Sequence, residues 1–158
     1  MIAALFLSAL ALANPGKVSA FAPTSYEALC IDDAAHRNGI PLALAESLAW
    51  YESGRNRFAL RRNSNATIDR GYYQVNGPTW RWLVVRYRMP HANPWSICDN
   101  AEVALRYLGD IYSITGDWSF SLAIYNAGIY NVAVTGIIPR TTRAYARAVT
   151  VRARLKEQ

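Results

Sequence analysis

The chain has almost no metal-binding chemistry. Its 158 residues include two Cys (Cys30, Cys98) and two His (His36, His91), and these four show no metal-ligand spacing, so neither a zinc site nor a cofactor is expected. Lysine is scarce too: of 17 basic residues, two are Lys and 15 are Arg. There is no internal repeat and no low-complexity tract, which excludes repeat arrays and disordered linkers. The longest apolar stretch, residues 2–13, is too short to cross a bilayer. What is present is the composition of one globular domain: 52% hydrophobic, 18% charged, with five Trp and ten Tyr.

The net charge of +6 points either to an anionic partner or to a solvated, arginine-rich surface. Arg57, Arg61, Arg62 and Arg70 stand out because they follow Glu52 in sequence. Residues 2–13 have the length of a signal-peptide core, and Val18-Ser19-Ala20 has the small-x-small form of a cleavage site. The expectation is therefore a leader over residues 1–20 and an exported domain over 21–158. An uncleaved anchor is the alternative, since no basic residue precedes the apolar run. In an oxidising compartment, two Cys read as a disulfide adding about 4 kcal/mol, or otherwise as two buried thiols.

Helical signals dominate the rest. Thr24 and Glu27 form a capping box, and Gly39 then Pro41 end one helix and start the next. In that second helix Leu44, Leu48, Tyr51 and Glu52 share a stripe, which puts Glu52 at the edge of the core. Residues 55–71 read as a long polar loop and 71–76 as a short extended segment. Further helices carry Trp80, Leu83, Val84 and Tyr87; then Val103 to Ile111, capped by Asp99 or Asn100; then Trp118, Leu122 and Tyr125, opened by Asp117 and closed by Gly128. A last, Arg-rich helix starts at Thr141 or Thr142. The fold class expected is mostly α, with about six helices and at most a small β element after the second.

A carboxyl against apolar neighbours keeps its proton to higher pH, which is what a general acid for glycosidic cleavage needs. Glu52-Ser53, then Gly71-Tyr72-Tyr73-Gln74-Val75-Asn76, then Tyr125-Asn126-Ala127-Gly128, in this order, resembles the three-part signature of the family-1 (SLT-type) lytic transglycosylases, which have an α+β lysozyme-like fold. The segments "CIDDAAHRNGIPLALAESLAWYESG", "NATIDRGYYQVNGPTW" and "ICDNAEVALRYL" are similar to the small exported members that accompany type III and type IV secretion, conjugation and type IV pili.

The resemblance implies Glu52 as sole acid/base, Ser53 and a Tyr125–Glu52 hydrogen bond as support, and Gln74, Tyr73, Asn126 and Tyr145 on the substrate. It implies a pairing of Cys30 with Cys98. The implied partners are peptidoglycan glycan strands and a secretion, conjugation or pilus machine, in the periplasm, with no nucleic acid and no membrane span after leader removal. Many relatives have Leu-Met where this chain has Tyr72-Tyr73, a departure that leaves the substrate preference open. Asp69, the nearest second acid, is read as structural, on a loop beside Arg70. A hydrolytic lysozyme and a non-catalytic wall-binding assembly protein are the alternatives.

Overall fold

A computed structural model describes residues 26–156 of the chain. The expected leader and the Thr24 half of the capping box lie outside these residues. Helix α1 (Tyr26–Arg37) buries Ile31, Ala34 and Ala35, one face at helical spacing. Gly39, at φ 66°, turns the chain, and Pro41 sits at the cap of α2 (Leu42–Ser53). Leu44, Ala45, Leu48 and Ala49 of α2 are buried. The helix stops at Gly54 because Gly54 adopts φ 62°, and the N–H groups of Gly54 and Arg55 close back on the carbonyls of Trp50 and Ala49. Glu52 is therefore held in a terminal turn, on a fixed backbone.

The segment read as a loop contains a small antiparallel sheet, β1 (Leu60–Arg62), β2 (Ile68–Arg70) and β3 (Val75–Asn76), in the order β1-β2-β3. Arg61 stands opposite Asp69, and Asp69 opposite Asn76. The strands are too short to show alternation of apolar residues. What holds the hairpin is polar: Asn63 N–H donates to the Thr67 carbonyl (2.9 Å), and Asn65 Oδ1 accepts from Thr67 N–H (3.1 Å) and its hydroxyl (2.7 Å). In the stretch read as extended, only Val75 and Asn76 are strand; 71–74 is a turn.

Helix α3 (Gly77–Arg86) packs with β2 and β3 on one side and α4 on the other. The long α4 (Ile97–Thr115) is the scaffold, with Ala101, Val103, Ala104, Leu105 and Leu108 fully buried against α1, α3 and α5. Its cap is Ser96, whose Oγ accepts from Asp99 N–H (3.3 Å), and not Asp99 or Asn100. Asn100 lies one turn inside and is fully buried, bonded to Tyr73 N–H (2.7 Å) and to the carbonyls of Pro94 and Arg70. Helix α5 (Trp118–Ala127) is capped by Asp117, and a π-helical turn over Tyr130–Val134 leads to α6 (Arg140–Lys156), which starts just ahead of the expected threonines. Among the described residues, six α-helices, a π turn and a three-stranded sheet make the mostly-α, lysozyme-like architecture. Cys30 of α1 and Cys98 of α4 form a disulfide across 68 residues, fastening those two helices.

Candidate active site

A cleft of about 370 Å³ opens between the sheet, the end of α2 and the end of α5. Glu52 and Asp69 are the carboxylates that line it among the described residues. Glu52 is half-buried, and its Oε1 accepts a hydrogen bond from the Tyr145 hydroxyl of α6. Burial raises its pKa from 4.5 to about 7; the Tyr145 hydrogen bond and the Arg61 charge pull the other way, and the Asp69 charge pushes it further up. The carboxyl is thus poised to exchange a proton near neutrality.

Asp69 is in a different state. It sits on β2 rather than on a loop, is nearly inaccessible, and is surrounded by donors. Arg61 gives it Nη2 (2.9 Å) and Nε (3.2 Å), while Asn63 Nδ2 (2.8 Å) and Asn76 Nδ2 (2.7 Å) take its other oxygen. Its lone pairs are committed to the protein, so it is a fixed, compensated anion.

The other sequence-predicted residues are placed as follows. Ser53 does not touch Glu52; its hydroxyl donates to the Tyr72 carbonyl (2.7 Å) and accepts from Asn56 N–H (3.1 Å), tying α2 to the 71–74 turn. Tyr125 lines the cleft, but the expected Tyr125–Glu52 bond is not made. Its hydroxyl donates to the Tyr73 carbonyl (2.9 Å), and Tyr145 occupies the position beside Glu52 instead. Tyr145, expected against substrate, therefore acts on the carboxyl itself. Gln74 lines the cleft at φ 49°, and its Nε2 donates to the carbonyls of Ala59 and Gly71, both at 2.9 Å. A non-glycine residue in this region carries backbone strain, held here by those two bonds. Asn126 lines the cleft, and its Oδ1 accepts from Thr142 of α6 (3.1 Å).

Tyr73 does not face substrate. It is fully buried, with its N–H on Asn100, and it is absent from the cleft wall. Tyr72 is buried on a separate surface with Glu27, Glu46 and Arg55. The Tyr72-Tyr73 pair is a core feature and neither ring lines the cleft. Of the loop arginines, Arg61 is bound to Asp69, and Arg57 donates to the Trp95 carbonyl (2.9 Å) and lies over the Phe58 ring.

Sequence reasoning missed Arg61, Asn63, Thr67 and Asn76 as one network around Asp69. A signal was present: Asn63, Asn65, Thr67 and Asp69 crowd side-chain donors and acceptors into one short stretch, the chemistry of a tight turn.

The transglycosylase SLT domain family matches residues 29–146. Protein IpgF of Shigella sonnei is 31% identical over 111 residues, covering 68% of this chain and 71% of that protein. Protein IpgF of Shigella flexneri is 30% identical over the same length. Among solved structures, an inactive Glu-to-Gln mutant of lytic transglycosylase Slt from Pseudomonas aeruginosa superposes with a TM-score of 0.65 at 19% identity, over 83% of this chain. At that identity the likeness is one of fold, and the chain spans about a quarter of that protein (24%).

Proposed function

The chain belongs to the transglycosylase SLT domain family and is a lytic transglycosylase, and we propose that it cleaves the bond between N-acetylmuramic acid and N-acetylglucosamine in peptidoglycan with Glu52 as its one acid and base. The observation that carries this reading is the inequality of the two cleft carboxylates. Glu52 is half-buried and titrates near 7, whereas Asp69 is saturated by Arg61, Asn63 and Asn76. Most glycosidases need two working carboxyl groups. Here one is available.

A single carboxyl suffices if the sugar supplies the nucleophile. Protonated Glu52 gives its proton to the glycosidic oxygen, and the C1–O bond breaks as N-acetylglucosamine leaves. The muramyl C6 hydroxyl then attacks C1, Glu52 takes the hydroxyl proton back, and a 1,6-anhydro ring closes. No water is consumed, and the attack gains from being intramolecular. Tyr145 holds one carboxyl oxygen, which leaves the other to carry the proton toward the sugar.

The Cys30–Cys98 disulfide supports an extracytoplasmic location. The cleavage after Ala20, the periplasmic address and service to a secretion, conjugation or pilus machine are part of the same proposal and rest on the resemblance. Digestion of purified peptidoglycan by the native protein and by Glu52→Gln, with mass spectrometry of the released muropeptides, tests it. Anhydro-muropeptides from the native protein alone are expected. Reducing ends from the native protein would make it a hydrolase, and wall binding with no product from either would make it an assembly protein.

A further inference from the structure

The charge of this protein is concentrated on one helix. Over Arg140–Lys156, α6 has six basic residues and no acid. Since the chain as a whole has 17 basic and 11 acidic residues, the remainder holds eleven of each and is neutral. Outside α6, four arginines, Arg37, Arg55, Arg61 and Arg86, each have a carboxylate within 3.5 Å. Arg140, Arg143, Arg147, Arg152 and Arg154 make no ion pair among the described residues.

Arg140, Arg143, Arg147 and Arg154 are exposed and spaced three, four and seven apart, one row about 21 Å long at 1.5 Å per residue. Like charges at this spacing repel, and nothing in the described structure offsets them. The first three also line a groove of about 720 Å³, with small apolar side chains, Ala144 and Ala148, between them. Tyr51 forms the far wall, adjoins Glu52 in sequence and packs edge-to-face on Tyr145 at 6.4 Å. Groove and cleft therefore lie on two sides of one α2–α6 seam.

Building on the reading of the chain as a peptidoglycan lytic transglycosylase, we propose that this face of α6 is a second peptidoglycan-binding site, outside the cleft, which takes the carboxylates of the stem peptides. Those peptides combine carboxylates with alanine methyls, and the groove offers guanidinium forks beside alanine side chains. The forks bind carboxylate in bidentate fashion. Of the arginines nearer the cleft, Arg57 and Arg61 are engaged by the protein.

The test is co-sedimentation of Glu52→Gln protein with intact sacculi and with sacculi stripped of stem peptides by an amidase. Adding Arg143→Gln, Arg147→Gln and Arg154→Gln should weaken binding to intact sacculi about tenfold and leave the melting temperature and the binding to stripped glycan unchanged. Arg143→Lys with Arg147→Lys, which keeps the charge but loses the bidentate fork, should retain only part of the binding. With Glu52 present, the triple glutamine variant should cut stripped glycan at the native rate.

Equal binding of intact sacculi with and without the arginines would overturn the site. So would an equal loss on stripped glycan, or a larger loss on duplex DNA or phosphatidylglycerol vesicles than on sacculi. If the native protein released no anhydro product while arginine-dependent binding held, the transglycosylase reading would fail and the site would stand.

Discussion

At the residue scale, the proposed chemistry turns on Glu52 and the hydroxyl that holds it. Tyr145→Phe removes a hydrogen bond that favours the ionised carboxyl, so the pKa of Glu52 should rise further above 7. The alkaline limb of the kcat/KM profile should then move to higher pH, while the loss of orientation lowers kcat about 10- to 100-fold. A tyrosine that only packs would leave that limb in place. Glu52 also couples pH to stability. Its folded pKa is raised, so its contribution is fully present below about 4.5 and is lost as pH rises through about 7. Glu52→Gln lacks this penalty, so its stability advantage over the native protein should grow by roughly 1–3 kcal/mol between pH 4 and pH 8. Melting curves across that range check it; a constant difference would contradict it. The place of Glu52 at the edge of the core was legible from its position on the apolar stripe, while its role was suggested only by the resemblance. The exchange of roles between Tyr125 and Tyr145 was not legible. Which of two buried tyrosines meets a carboxyl 93 residues away depends on how α5 and α6 cross it.

At the element scale, helix ends are written in local chemistry and the sheet is not. Gly54, Gly116, Asp117 and Gly128 stand where the helices stop or start. The β1–β2 hairpin has three-residue strands with one apolar side chain each, Leu60 exposed and Ile68 half-buried, so no apolar periodicity betrays it. Its cohesion comes from Asp69, which gathers Arg61, Asn63 and Asn76. Asp69→Ala leaves two amides and a guanidinium without their acceptor. It should cost about 1–3 kcal/mol, discounted for the exposure of Arg61. Hydrogen exchange should speed up over residues 60–76 and remain slow in α4. Uniform loosening of the whole domain would show that Asp69 does not act locally. Asn100 ties the 71–74 turn to α4 in the same way, and its true place inside the helix was hidden because Asn reads first as a cap.

At the scale of the whole molecule, the fold is a scaffold, α4, with α2, whose last turn bears Glu52, held between α1 and α6. Composition and helical spacing made this class of fold legible. They could not show that Tyr73 lies inside, because an aromatic beside a glutamine in a polar stretch reads as exposed. They showed an Arg-rich last helix, and the fold adds that its arginines make no ion pair among the described residues. The Cys30–Cys98 link closes a long loop, and its removal by Cys30→Ala with Cys98→Ala should lower stability by about 3–4 kcal/mol. The melting temperature should fall by about 10 °C, with activity at low temperature kept, since neither Cys30 nor Cys98 lines the cleft.

The central claim is that one carboxyl works and water does not react. Digestion of peptidoglycan in water enriched in oxygen-18 tests it most directly. Released muramyl ends carrying no heavy oxygen, with the mass of an anhydro sugar, are the predicted result. Ends that gain one heavy oxygen per cleavage would mean that water is the nucleophile, and the single-carboxyl account would fall.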